Sequence, residues 1–526
     1  MHETGPFSIP SIRSFVPEKW KPWVVIAIVL VFQLSGGVYL AAVSEMAGST
    51  ALLREDIMMA GYASMVGMSL TFTIMFRLKF RFASKTSLLT CCIALILCNL
   101  ICMHTRSVPV LVATCFFAGI FRMWGTFECN STIQLWLTPK RDLSVFFCFI
   151  YLLVQGCIQL SGLATVYVSF WSKWESMHWL VIALFLLAMM GIMILFRTYR
   201  SMRKLPLYGI DWLGGFMWGL TVMCIVFVCV YGEHYDWYDS DYIRMATVGG
   251  VVVLALNLWR ASFIRHPFIA IETWRFRAVY LTFTLYLVIE FLLAPAHLFE
   301  HIYMESVLGF DSLNYISMNW IILLGVVLGS VFTYLTFSRR KWRYKTMAVI
   351  AFTCITGYLM FFYFTIDYRI PKEAWMFPLF LRAFGYVIIE ISFITMLSRV
   401  PFQNFFQAVS IQGFASTTLA GVIGSALLGR ILTVVMTRNA VSLGATLDRV
   451  NQTAVHLPFG QLYGALQEQA LMVTMKELYG WLTLLSLFCL LIFGLHESSI
   501  RPYKAIHPAY RSIRRFVKHE LRMRGG

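Results

Sequence analysis

The sequence predicts an all-α integral membrane protein whose fourteen transmembrane helices are arranged as six, two and six. Three observations predict it. The 526 residues are 59% hydrophobic and only 13% charged, with a mean hydropathy of +0.72, whereas soluble domains carry about 25% charged residues. The apolar residues gather in repeated stretches of about 18 residues or more, long enough to cross a bilayer as helices. Basic residues recur in the short loops after every second stretch, as the positive-inside rule requires.

The stretches run over 23–43, 57–76, 86–104, 108–135, 143–168 and 177–196 in a first half. A central pair follows at 210–230 and 245–259, then a second half at 278–298, 315–337, 346–366, 374–398, 406–436 and 470–495. Interfacial aromatics mark several ends: Trp20 and Trp23, Trp171 and Trp174, Trp237 and Tyr238, Trp342 and Tyr344. The implied organisation is an N-terminal segment 1–22, a six-helix bundle 23–200, a linker pair 206–262, a second bundle 278–497 and a basic tail 498–526. The central pair contains no Asp, Glu, Lys or Arg in either apolar run, so it is expected beside the bundles rather than around a cavity.

A net charge of +17 raises the question of nucleic acid, but its distribution answers for a bilayer. Thirty-one basic residues fall on one side of the predicted spans and eight on the other, which puts both termini in the cytoplasm and demands an even number of spans. The longest polar interval, about 437–469, leaves no room for a soluble domain. Alternating strand patterning is absent, which excludes an outer-membrane barrel. Ala41-Ala42-Val43-Ser44 imitates a signal-peptidase site, but the run before it is too long for a signal core and its removal would leave an odd span count. It reads as the first retained helix. The twelve cysteines all lie in apolar runs and read as small hydrophobes rather than a disulfide framework.

Two polar segments keep two readings each. Arg511, Arg514, Arg515, Lys518 and Arg522 surround Ile513, Phe516 and Val517, as in a basic amphipathic helix on an anionic leaflet or a solvated tail. Leu443, Leu447, Val450 and Ala454 stand at helical spacing, as in a cap on the protein's own helix ends or a docking surface for a periplasmic partner.

Asp211-Trp212-x-Gly214 opens the seventh span; Asp236-Trp237 follows, then Pro267 before Thr273-Trp-Arg-Phe-Arg277, and Val307-Leu-Gly309-Phe-Asp311 leads into the tenth span. This series resembles the 14-helix drug:proton antiporters of the major facilitator superfamily, and 410–429 and 467–470 continue the likeness. The resemblance implies a major facilitator fold of two six-helix bundles with two linker helices, in a bacterial inner membrane. It implies secondary transport driven by the proton motive force, with no cofactor, and a cytoplasmic gating loop at Arg77, Lys79, Arg81 and Lys85. Departures from the pattern are specific. That loop lacks the family's Asp and glycines, Ser35 stands where a membrane Asp is usual, Cys115 stands near the fourth-span Arg, and Gly156 and Gly162 lack the following proline.

A charge at mid-bilayer costs about 2.5–3.5 kcal/mol even on insertion scales. The spans keep few: Arg122 and Glu128 in the fourth, Glu290 in the ninth, Arg382 and Glu390 in the twelfth, and Arg430 near the end of the thirteenth. Without the central pair, the first three of these spans are the fourth, seventh and tenth of twelve, which are repeat-leading helices expected around a central cavity. The first such helix offers Gln33, Ser35, Gly36 and Gly37. Proton coupling is therefore expected at Glu290, then Glu390, with Arg122 and Glu128 either assisting or forming a fixed pair. Gln33, Ser35 and Arg382 are expected to meet substrate. His297, Glu300 and His301 read as a polar rim rather than a metal site. Gly421, Gly424, Ser425 and Gly429 read as close helix packing, or as a surface on which the halves slide.

The expected function is proton-driven export of amphipathic or drug-like small molecules by alternating access, with a periplasmic adaptor and an outer-membrane channel as candidate partners. The alternative is a proton-coupled importer of a small metabolite. Phosphate-binding loops, paired-His metal motifs and Gly-x-Ser-x-Gly nucleophiles are absent from the sequence, so neither ATP drive nor enzymatic chemistry is expected.

Overall fold

The computed structural model describes residues 11–36, 39, 43–138, 142–199, 205–366, 370–446 and 458–495. Thirteen described helices are long and apolar enough to cross a membrane, and a shorter apolar helix precedes them. The first bundle holds α1 (Lys21–Leu34), α2 (Arg54–Arg81), α3 (Ser84–His104), α4 (Val108–Gln134), α5 (Leu143–Trp171) and α6 (Glu175–Leu195). The central pair is α7 (Trp212–Tyr231) and α8 (Asp241–Phe263). The second bundle holds α9 (Arg277–Val307), α10 (Ser312–Arg339), α11 (Tyr344–Thr365), α12 (Lys372–Leu397), α13 (Phe402–Ala445) and α14 (Phe459–Leu495). The C-terminal tail after Leu495, Gly37, and Leu447, Val450 and Ala454 lie outside the described residues.

Several helices outrun their apolar stretches. The interval 437–469, polar by composition, is largely a continuation of α13 to Ala445 and an early start of α14 at Phe459. Hydropathy locates the hydrocarbon crossing, but a helix continues past it while its backbone bonds and side-chain pairs hold. Arg438 reaches Glu477 at 2.8 Å and Asn439 reaches Thr474 at 3.0 Å, which ties the ends of α13 and α14 together.

Each bundle has its own apolar core, around Phe32, Phe185 and Ile192 in the first and around Phe352, Phe362 and Tyr479 in the second. Small residues let helices meet backbone to backbone. A Cβ at Gly67 of α2 would stand 2.1 Å from the Phe116 carbonyl oxygen, and one at Gly119 of α4 would stand 1.9 Å from that of Ser64.

The central pair sits against the side of both bundles. Asp211 caps α7 by accepting from Gly214 N at 3.0 Å and is gripped in two-pronged fashion by Arg260 of α8 at 2.7 and 2.9 Å. That is the physical content of the Asp211-x-x-Gly214 motif: one carboxylate fixes the helix start and its partner helix together. At the other end of α7, Tyr231 donates to Asp56 at the start of α2, while Glu233 accepts from Thr433 of α13 at 3.0 Å. On α8, Val248, Val251 and Val252 are exposed, as suits a lipid-facing surface.

The bundles meet at the end that carries Arg77–Arg81 and Lys341, here the basic end, and also where Leu163 and Val166 pack on Ile316. Lys341 bonds to Asp142 at 2.6 Å, with its backbone held at a left-handed φ of 56°, a conformation non-glycine residues adopt only under local constraint. Nearby, Cys148 and Ser338 stand 3.2 Å apart. Phe76 packs on Phe402 and Phe406 with ring centroids 5.4 and 5.5 Å away. Midway along α2, Ser69 meets Thr417 at 3.2 Å and accepts from Ser410 at 2.7 Å through its carbonyl.

Candidate functional site: the cavity between the bundles

A cavity of about 2040 Å³ lies between the two bundles. Its walls mix polar side chains with methionines and phenylalanines, among them Met65, Met68, Met75, Phe72, Phe76 and Phe127. Of the central pair only Val230 reaches the lining; Trp218 and Phe227 do not.

The second bundle supplies two buried acids. Tyr286-Leu-Val-Ile-Glu290 on α9 and Tyr386-Val-Ile-Ile-Glu390 on α12 are nearly the same five-residue phrase. Four-residue spacing puts each Tyr and Glu on one helix face, and the two helices run in opposite directions. Each tyrosine therefore stands level with the other helix's glutamate. Tyr386 donates to Glu290 at 2.8 Å and Tyr286 donates to Glu390 at 3.1 Å. Gln412 of α13 donates to the Tyr286 hydroxyl at 2.8 Å. Tyr151 of α5, in the first bundle, lines the same cavity as Glu390 and Tyr386. Among the described residues, neither Glu290 nor Glu390 forms an ion pair. Their partners are neutral hydroxyls, which can donate to a carboxylate or to the carbonyl oxygen of a protonated acid.

Arg382 is different. Expected to meet substrate, it lines the cavity and is already bonded to Glu300 at 2.6 Å, lying over the Tyr358 ring, 5.5 Å from its centroid. Tyr358 donates to the same Glu300 at 2.7 Å. Glu300 is 2% exposed and so is not part of a polar rim. α9 carries on past Pro295 to Val307 and brings Glu300 inside the bundle. Among the described residues no group of three or more His, Cys, Asp or Glu side chains is disposed to hold a metal.

In the first bundle, Arg122 and Glu128 do not pair. Six residues turn the helix by about 240°, so the two side chains leave α4 in different directions. Glu128 pairs with Lys79 of α2, leaving one carboxylate oxygen without a partner. Arg122 lines the cavity, its Nη2 donating to the Met68 sulfur at 3.2 Å and its buried Nε unpartnered. Gln33 also faces the cavity and donates to Thr126 at 3.4 Å. Ser35 turns back on its own helix, donating to the Phe32 carbonyl at 2.7 Å.

The expected gating loop is not a loop. Arg77, Lys79 and Arg81 occupy the last turns of α2 and Lys85 the first turn of α3, with only Phe82-Ala83 between the helices. Arg77 packs against Gly209 ahead of α7, and Lys85 donates to the Met193 carbonyl at 3.0 Å. Among the described residues, the ion pair that bridges the bundles at this end is Asp142–Lys341.

No family model matches the chain, and no curated protein matches it. Solved structures do. The peptide transporter POT in complex with sulfate is 13% identical, covering 93% of this chain and 98% of that one with a TM-score of 0.57. An auto inhibited POT family peptide transporter is 12% identical over 92% and 98%, with a TM-score of 0.54. The nucleoside transporter NupG is 9% identical over 89% and 99%, with a TM-score of 0.51.

The fold is that of the major facilitator superfamily.

At these identities the likeness carries fold and not substrate. In the major facilitator arrangement the leading helix of each three-helix repeat faces the cavity, and α1, α4, α9 and α12 all contribute to the lining here. Tyr151, Tyr286, Tyr386 and Gln412 complete the acid cluster, and charge counting does not find them. The sequence held one signal for two of them, the repeated Tyr-x-x-x-Glu on α9 and α12.

Proposed function

We propose that this chain is a secondary active transporter that exports an amphipathic small molecule in exchange for protons, by alternating access. It works in a bacterial inner membrane with its basic end and both termini on the cytoplasmic side. The observation that carries this reading is the pair of cavity-facing glutamates held by neutral tyrosines. A buried carboxylate locked to a cation is fixed in one charge state, whereas one bonded to a hydroxyl can exchange a proton without losing its anchor. Glu290 is the principal proton carrier and Glu390 the second. Tyr151 brings a first-bundle hydroxyl to the same cavity as Glu390, so the protonation of that acid is sensed across the gap between the bundles.

The direction, export, rests on the motif series around Asp211 and on the methionine-rich lining, which suits cargo of varied apolar shape. A periplasmic adaptor and an outer-membrane channel would receive that cargo. Proteoliposomes with an imposed pH gradient test the reading. Gradient-driven flux of an amphipathic probe, with protons moving the opposite way, is the expected result. Probe and proton moving together would replace export with import, and no gradient-dependent flux across a probe panel would overturn transport.

A further inference from the structure

We propose that Arg122 anchors the acidic group of the cargo, so that the transported class is an amphipathic organic anion: a carboxylate, sulfonate or sulfate on an apolar body. This deepens the transport reading and rests on it.

A guanidinium inside a membrane protein is costly and is ordinarily answered by an acid. Arg382 is answered by Glu300 and Arg260 by Asp211. Arg122 forms no ion pair among the described residues, although Glu128 stands six positions along its own helix. Its polar contact is a thioether sulfur, a weak acceptor, and its Nε is buried without a partner. The site around it is built. A Cβ at Gly36 would lie 1.7 Å from the Arg122 Nη1, so any other residue there would push the guanidinium from the notch it occupies at the end of α1. Arg122, Thr126 and Asn130 recur at four-residue intervals along α4, and all three line the cavity beside Gln33. Met68 and Met123 supply apolar wall on either side. A planar fork of N–H donors beside an amide and a hydroxyl, with thioethers around them, fits an oxyanion on an apolar stem.

The test compares dansylglycine, a carboxylate on an aromatic body, with its neutral amide by fluorescence titration of purified protein in phosphatidylcholine nanodiscs. Wild type should bind the acid at least tenfold more tightly than the amide. In Arg122→Gln that preference should fall to about one, through loss of acid affinity while amide affinity holds, and Arg122→Lys should restore part of it. Gly36→Ala, which keeps every charge but crowds the guanidinium, should also erode the preference. Equal binding of acid and amide by wild type overturns the proposal and needs no variant. So does a parallel loss of both probes in Arg122→Gln, which would make the residue structural. Displacement of the probe from wild type but not Arg122→Gln by phosphatidylglycerol would assign the site to a lipid headgroup and also overturn it. Acid preference without pH-gradient-driven flux in proteoliposomes would support the anion site and sink the transport reading instead.

Discussion

The two halves of the cavity treat charge in opposite ways. The second bundle places Glu290 and Glu390 among tyrosine hydroxyls, with no cation paired to either among the described residues. Among the described residues the first bundle leaves Arg122 without an acid and locks its own glutamate, Glu128, to Lys79. The kind of helix does not separate these groups, since Arg122, Glu128, Glu290 and Glu390 are all carried by helices that line the cavity. What separates them is the neighbour. A hydroxyl holds an acid in place and leaves its charge free to change, whereas an ammonium or guanidinium fixes both position and charge.

The strongest way to break the contrast is Glu290→Gln. The amide keeps the shape and still accepts from Tyr386, but it cannot exchange a proton. pH-gradient-driven flux in proteoliposomes should fall to background, with thermal stability and probe binding near wild type. Full flux with a normal pH dependence would remove Glu290 from the coupling role. Glu390→Gln should impair flux less completely.

The fixed-charge side is tested by stability. Arg382→Leu leaves Glu300 buried without its cation, and losing one partner of such a pair costs about 3–5 kcal/mol. Thermal unfolding of the purified variant should show a large drop, and adding Glu300→Gln should recover most of it. Equal instability of the single and double variants would mean that Arg382 contributes packing rather than charge.

A smaller effect is expected where both partners are partly exposed. Burial pushes the Asp142 carboxyl up, but hydrogen bonds from Lys341 and Ser144 outweigh it and hold it below the ordinary range. A carboxyl depressed in the folded state contributes stability that is present above its unfolded value, about 3.9, and is lost as pH falls through the lower folded value. The bridge between the bundles should therefore hold at neutral pH and fail only in strong acid. Lys341→Gln should weaken it at neutral pH by roughly 1 kcal/mol, the upper range for exposed pairs. Faster alkylation of a cysteine placed at Leu143 would report the opening, and unchanged alkylation would deny the bridge a gating role.

Tyr231→Phe should give the smallest change, about 1 kcal/mol for one hydrogen bond to Asp56. It should be visible in thermal unfolding and absent from the acid preference of the cavity.

The fold was legible because hydropathy reports crossings directly, and the charge-free central runs marked α7 and α8 as outsiders. Helix ends were less legible, since the extra turns of α13 and α14 are polar and held by pairs such as Arg438–Glu477, which only folding brings together. Counting along the chain found Glu290, Glu390 and Arg122. It could not find their neighbours, because Lys79 lies 49 residues from Glu128 and Tyr386 lies 96 from Glu290. The paired reading of Arg122 and Glu128 overlooked helical phase, and the rim reading of Glu300 ended α9 at 298, whereas the helix runs on to Val307 and carries Glu300 inside the bundle.

The double contact at Ser69 has a mechanical consequence. Ser69 lies fifteen residues from the Arg54 end of α2 and twelve from the Arg81 end, so the lever arms are roughly 22 and 18 Å at 1.5 Å per residue. With Thr417 and Ser410 as fulcrum, tilting one bundle by about 10° swings the basic end through roughly 3 Å on the shorter arm. Added to the 2.6 Å separating Lys341 from Asp142, such a displacement carries the pair well past the roughly 3.5 Å reach of a hydrogen bond. A modest rocking motion about two serines and a threonine is thus enough to undo the bridge at one face, with no helix having to bend.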